Sequence, residues 1–144
     1  MSPRHAIPQG DLDIQYGGSI TYPTPNVYYL TAGEPPYIPD NATTTDTNEP
    51  YLDWLNFILD QDTIPQTIST SYGDDEQTVP PDYAKSVCSL FAQLGAMGVS
   101  LLFASGDDGV GPFAGSCVSN DGANRRQFLP SFPASCGLFS SLFS

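Results

Sequence analysis

Apolar positions recur along this chain with two different spacings, and their alternation predicts a layered fold. Leu52, Leu55 and Leu59 share one helical face that Trp54 and Ile58 widen, which predicts a helix over 48–60 covered on two sides. Asn48 suits its N-cap and Pro50 its first turn. Ala84, Val87, Cys88, Phe91, Leu94 and Gly95 form a longer stripe at helical spacing, predicting a helix over 82–97 that opens after Pro80-Pro81. A short helix is expected over 11–16, ended by Gly17-Gly18. Strand patterns fall at 26–31 (NVYYLT), at 67–71 and at 99–104 (VSLLFA). The last run is nearly all apolar, as expected for a central parallel strand buried on both faces. Residues 32–47 are rich in Pro, Thr and Asp and read as a surface loop. Helix and strand thus alternate three times, and right-handed crossovers assemble that order into an open parallel sheet with helices on both faces. The expected fold is a single layered α/β unit.

Composition narrows what such a unit can do. Sixteen acidic residues against four basic ones give a net charge of −12 at pH 7. The cations, Arg4, Lys85, Arg125 and Arg126, are too few and too scattered to neutralise a nucleic-acid backbone. Anionic membrane surfaces are disfavoured on the same ground, and no apolar run approaches the ~18–20 residues of a membrane span. Residues 1–10 lack the basic-then-apolar pattern of an export signal, so none is expected in the chain as given. His5 is the single histidine, so a Ser-His-Asp or Cys-His site has one candidate and a histidine-rich metal site none. Acid–base chemistry therefore falls to carboxylates. The three cysteines are Cys88, Cys117 and Cys136, with no C-x-x-C pair. An odd count fits either reduced thiols or a bridge whose partner is missing: Cys88 lies on the apolar helix face and reads as a small buried hydrophobe, while Cys117, in a Gly/Ser loop, is placed where a disulfide to another segment is plausible.

Sites in open α/β sheets form beyond the carboxyl ends of the strands. Two of the expected strands end in acidic, Gly-containing turns, Ser71-Tyr72-Gly73-Asp74-Asp75-Glu76 and Ser105-Gly106-Asp107-Asp108-Gly109, which would share one sheet edge. Gly and Asp favour turns by themselves, so solvated turn chemistry is one reading. The spacing does not match an EF-hand calcium loop, and the carboxylates exclude a phosphate cradle.

Five blocks carry a sharper reading. Leu12-Asp13-Ile14-Gln15-Tyr16, Asn48-Glu49-Pro50-Tyr51-Leu52, Ser71-Tyr72-Gly73-Asp74-Asp75-Glu76, Leu102-Phe103-Ala104-Ser105-Gly106-Asp107 and Phe132-Pro133-Ala134-Ser135-Cys136 occur in the order of the sedolisin family, which the chain resembles. These are serine-carboxyl peptidases, and the secreted fungal tripeptidyl-peptidases look most alike. The resemblance implies part of a subtilisin-like, doubly wound parallel sheet. It assigns residues 11–136 to a partial peptidase domain, with a divergent N-terminal segment at 1–10 and a divergent tail at 137–144. It also implies an extracellular location, a peptide or protein substrate, and no nucleic-acid or membrane partner.

In that family a glutamate acts as base toward a serine, supported by an aspartate four residues on. The i, i+4 spacing puts both carboxyls on one helix face, where they can share a proton at acid pH. Asp13 matches the supporting aspartate. Asp107 matches a second aspartate that must be protonated to donate in the oxyanion hole. Ser71, Tyr72 and Gly73 match a segment lining the substrate cleft, whose backbone can pair with an extended peptide. The departures are as specific. The family's glutamate falls at Gln9, and an amide cannot serve as a general base. The Ser-Gly-Thr-Ser nucleophile segment does not occur, and the only Ser-Gly, Ser105-Gly106, belongs to the oxyanion turn. No cofactor is expected in this chain, since the family's calcium site would lie beyond residue 144. Asn41-Ala42-Thr43 is a glycosylation sequon within the Pro/Thr/Asp-rich loop. The expectation is a fragment of a secreted, acid-active peptidase. Two rivals are a non-catalytic peptide-binding remnant and a non-functional truncated gene product.

Overall fold

The computed structural model describes residues 6–107, 109 and 117–137. It divides into two compact units, Met1–Leu30 and Thr31–Ser144. His5, Asp108 and the tail at 138–144 lie outside the described residues.

The first unit is built on helix α1 (Ala6–Thr21). It runs through Gly17-Gly18, where the sequence suggested a stop. Two glycines cost a helix only about 0.5–1 kcal/mol each, and the last turn is closed by side chains: Ser19 Oγ donates to the Gln15 carbonyl (2.6 Å) and Thr21 Oγ1 to that of Gly17 (2.8 Å). The strand expected over 26–31 does not form. A strand needs a neighbour for its N–H and C=O groups, and none of the described strands runs beside this segment. Val27, Tyr28 and Leu30 stay exposed.

The second unit is α/β, as expected. Its elements are α2 (Tyr51–Leu59), β1 (Thr67–Thr70), β2 (Asp74–Asp75), a 3-10 turn (Glu76–Thr78), α3 (Pro81–Ala96), β3 (Ser100–Phe103) and β4 (Ser131–Phe132). Helix α2 begins after Pro50 rather than at Asn48, which instead exchanges hydrogen bonds with Thr78. The orphan N–H of Leu52 is satisfied by the Tyr83 hydroxyl at 3.1 Å. Helix α3 ends in a Schellman motif: Gly98 N–H bonds Gly95 O and Val99 N–H bonds Leu94 O, with Gly98 at φ +92°, where a side chain would be strained.

Strands β1 and β3 pair in parallel, Thr67 against Ser100 through Thr70 against Phe103, with α3 in the connection between them. β2 and β4 make a short antiparallel pair, Asp74 against Phe132 and Asp75 against Ser131. The expectation that 99–104 is buried on both faces is corrected. Ser100 is exposed, Leu101 and Leu102 are half-buried, and only Phe103 is fully covered. Among the described residues β1 is its sole strand neighbour.

Between these layers lies the core. Leu55 and Ile58 of α2 meet Val87, Phe91 and Leu94 of α3, all at 0% exposure. Phe91 is its hub, with ring centroids at 6.3 Å from Tyr51, 6.3 Å from Trp54 and 4.8 Å from Phe103. Tyr51 extends the cluster to Phe132 of β4 at 5.7 Å.

The reading of Cys88 as a small buried hydrophobe is overturned. Cys88 is bonded to Cys136 across 48 residues, with a Cα–Cα distance of 5.5 Å inside the usual bridging range, and Cys117 is not part of this bridge. Helical periodicity gave Cys88 a core role, but it sits half-buried on the flank of the stripe, where the segment after β4 reaches it. Closing a loop of this length removes unfolded-state entropy worth about 2–4 kcal/mol. Denaturant melts of the Cys88→Ser/Cys136→Ser chain, or of the reduced protein, should show a loss of that size; an unchanged midpoint would exclude the bridge.

Candidate functional site

Parallel pairing fixes where the two acidic turns emerge. Thr70 and Phe103 are register partners at the carboxyl ends of β1 and β3, and Ala104 N–H extends the ladder to Thr70 O at 3.1 Å. Ser71-Tyr72-Gly73 and Ser105-Gly106-Asp107 therefore leave from neighbouring points on one sheet edge, as the sequence suggested.

The first of these segments is held in place from several directions. The Tyr72 hydroxyl donates to Thr47 O at 2.8 Å, and the Tyr51 hydroxyl donates to Tyr72 O at 3.3 Å. The Glu49 N–H hydrogen-bonds the Asp74 carboxyl. Gly73 lies close to β4: a Cβ there would run into Ser131 Oγ, which would have to turn aside, and would press on the Phe132 carbonyl at 3.3 Å. Glu76 N–H bonds Pro130 O at 3.1 Å and continues the attachment. The segment that composition alone reads as a solvated turn is thus clamped between the loop before α2 and β4. Tyr72 itself keeps 37% of its surface in water.

Electrostatically this corner is acidic. Asp74 is only 5% exposed, and its pKa is pushed up to about 8, first by burial and then by the negative charges of Glu49, Asp46 and Asp75, against a lowering by the Glu49 N–H. Burial also raises Glu49. Tyr72 is raised to about 12, by burial and then by Asp74 and Glu49. Tyr51 and Tyr83 are raised for the same first reason. The burial of Asp74 was not legible in sequence, where Gly-Asp-Asp-Glu reads as solvated; only the pairing of β2 with β4 turns its side chain inward.

Asp107 is exposed. β3 ends at Phe103, and the chain has left the sheet by Asp107. Asp13 is exposed on α1. It sits one turn after Gln9, so the i, i+4 spacing is realised on a helix, in the other unit. Asn41 is exposed and its Nδ2 donates to Asn124 Oδ1 at 2.8 Å. The loop that carries it is less free than its composition suggests. Asp40 is 7% exposed and accepts from the N–H groups of Ala42 (2.9 Å) and Thr43 (2.6 Å), while Ile38 N–H bonds Thr78 O at 2.8 Å.

No family model matches the chain. Individual relatives do. It is 41% identical over 142 residues to a tripeptidyl-peptidase, sed4, of Aspergillus fumigatus, covering 95% of this chain and 23% of that protein. It is 45% identical over 139 residues to tripeptidyl-peptidase SED2 of Arthroderma otae, and 43% identical over 146 residues to a probable tripeptidyl-peptidase SED3 of Arthroderma benhamiae. Those matches take in 93% and 98% of this chain, and 23% and 24% of the relatives. The chain thus spans about a quarter of the length of the proteins it is similar to, and the resemblance read from the five sequence blocks is borne out.

Proposed function

We infer that this chain is part of a serine-carboxyl peptidase of the sedolisin family, of the tripeptidyl-peptidase kind named among its relatives. The observation that carries the reading is the shared sheet edge: the Ser71-Tyr72-Gly73 and Ser105-Gly106-Asp107 blocks, separate in sequence, leave β1 and β3 side by side. The parallel β1–β3 pair with α3 between its strands is the repeating unit of a subtilisin-like, doubly wound sheet, which is the fold we propose for the longer protein.

In this reading the backbone of residues 71–73 receives an extended peptide, with the clamp on Tyr72 and Asp74 holding that wall in shape. Asp107 donates to the developing oxyanion in its neutral form, and Asp13 supports the acid–base position one turn away at residue 9. The reaction is hydrolysis of a peptide bond through an acyl-enzyme on a serine elsewhere in the longer protein. Export fits the Cys88–Cys136 bridge, since such bonds persist in oxidising surroundings. Asn41, exposed at the surface, is the proposed glycan acceptor.

The test uses the longer protein in which this sequence lies, with the base present at position 9. Asp107→Ala should lower kcat by about 10²–10³-fold, the worth of one oxyanion donor, with KM little changed. An unaltered kcat would remove Asp107 from the reaction. Gln9 favours the second reading, a peptide-binding remnant that keeps the Tyr72 wall without a base.

A further inference from the structure

Among the described residues, Asp74 is a buried acid with nothing to neutralise it. Its Oδ1 has no hydrogen-bond partner, and the bond that reaches its carboxyl comes from the Glu49 N–H. The charged groups acting on it are all acidic: Asp46 and Glu49 from the segment before α2, and Asp75 from its own strand. Around it α2 presents the phenol of Tyr51, α3 that of Tyr83, and the turn after β1 that of Tyr72. The facing strand β4 offers Ser131 and Phe132, neither of which titrates in the ordinary range. A neutral carboxyl tolerates an unsatisfied oxygen at modest cost, whereas an ionised one in this setting meets three like charges and one donor.

We propose that Asp74 is an acid-dependent latch: neutral, it lets residues 72–75 seat between the loop before α2 and β4; ionised, it unseats them. Resting on the peptidase reading, the segment released is the cleft wall, so peptide binding fades as the latch opens. The direction follows from linkage. The folded pKa of about 8 lies above the ordinary carboxyl value, so the unfolded chain gives up this proton first as pH rises. The contribution is complete below about pH 4, declines by up to about tenfold in the folding equilibrium per pH unit, and is gone by about pH 8.

Denaturant unfolding and amide protection factors of the full chain at pH 4, 6 and 8 test this. The midpoint and the protection of residues 72–75 should fall together with rising pH, and Asp74→Asn, a neutral isostere, should flatten both profiles. A decline as steep in Asp74→Asn as in the parent overturns the latch. Should that variant fail to fold, Asp46→Asn keeps the acceptor for the Asn48 N–H but removes a repelling charge. It should make the decline smaller and end at lower pH, and an unmoved profile overturns the proposal. Binding of hexa-alanine, followed by calorimetry at the same pH values, separates the two ideas. A pH-dependent profile without any peptide binding supports the latch and overturns the cleft assignment.

Discussion

The 144-residue chain by itself is expected to leave peptide substrates uncut at acid pH. Base, supporting acid and nucleophile act as one unit in such sites, and removing the nucleophile from a comparable triad costs about 10⁶-fold in rate. Here residue 9 is glutamine, and the sequence contains no Ser-Gly-Thr-Ser. Restoring Gln9→Glu alone should therefore change nothing measurable, because the second deficit still dominates. Purified chain assayed against a fluorogenic tripeptide amide at pH 3–6 checks this. Turnover that scales with protein concentration and resists removal of contaminating proteases would overturn it.

Phe91→Ala should be the most damaging single core substitution. The ring is fully buried and touches Tyr51, Trp54 and Phe103, so its removal takes contacts from α2, α3 and β3 at once. Aromatic-to-alanine changes at such positions cost about 3–5 kcal/mol, transfer and cavity terms together. A domain of this size holds only about 5–15 kcal/mol in total, so a large share of the stability goes with one ring. The loss also reaches the candidate site, because Tyr51 loses its packing partner and its hydroxyl holds the Tyr72 carbonyl. Phe57→Ala, at 52% exposure on α2, serves as the comparison: with half its surface already in water it should cost clearly less, about 1–2 kcal/mol. Urea titrations of the two variants should separate clearly; equal midpoints would mean that the core does not centre on Phe91.

Sequence pattern located the elements whose partners are close in the chain. The stripes of α2 and α3 and the short apolar runs of β1 and β3 each declare themselves within a dozen residues, and the structure places them nearly where expected. The failures share a cause. Residues 26–31 have strand composition without a strand beside them, and composition cannot supply a neighbour. The β2–β4 pair is two residues long on each side and joins positions 56 to 58 apart, too little local signal to read. The burial of Asp74 depends on that pair, and so do the approach of Gly73 to Ser131 and the reach of Cys136 to Cys88. At the site, the blocks Ser71-Tyr72-Gly73 and Ser105-Gly106-Asp107 and their common edge were legible, since register follows from the parallel pairing. The loop before α2 as a clamp was not, since Asn48 reads as a helix cap and instead bonds Thr78.

The cross-link between α3 and the end of β4 also bears on how the polypeptide is made. A ribosome delivers Cys88 first, Cys117 next and Cys136 last. For the interval in which 19 further residues are added, Cys117, 29 residues from Cys88, is present and Cys136 is not. That shorter ring is entropically easier to close than the native one, by about 0.4 kcal/mol. A Cys88–Cys117 bond closed in that interval would have to yield to the native pair by thiol–disulfide exchange, Cys136 attacking Cys88 and releasing the Cys117 thiolate. Wherever that early bond forms, folding yield would depend on how fast it is shuffled.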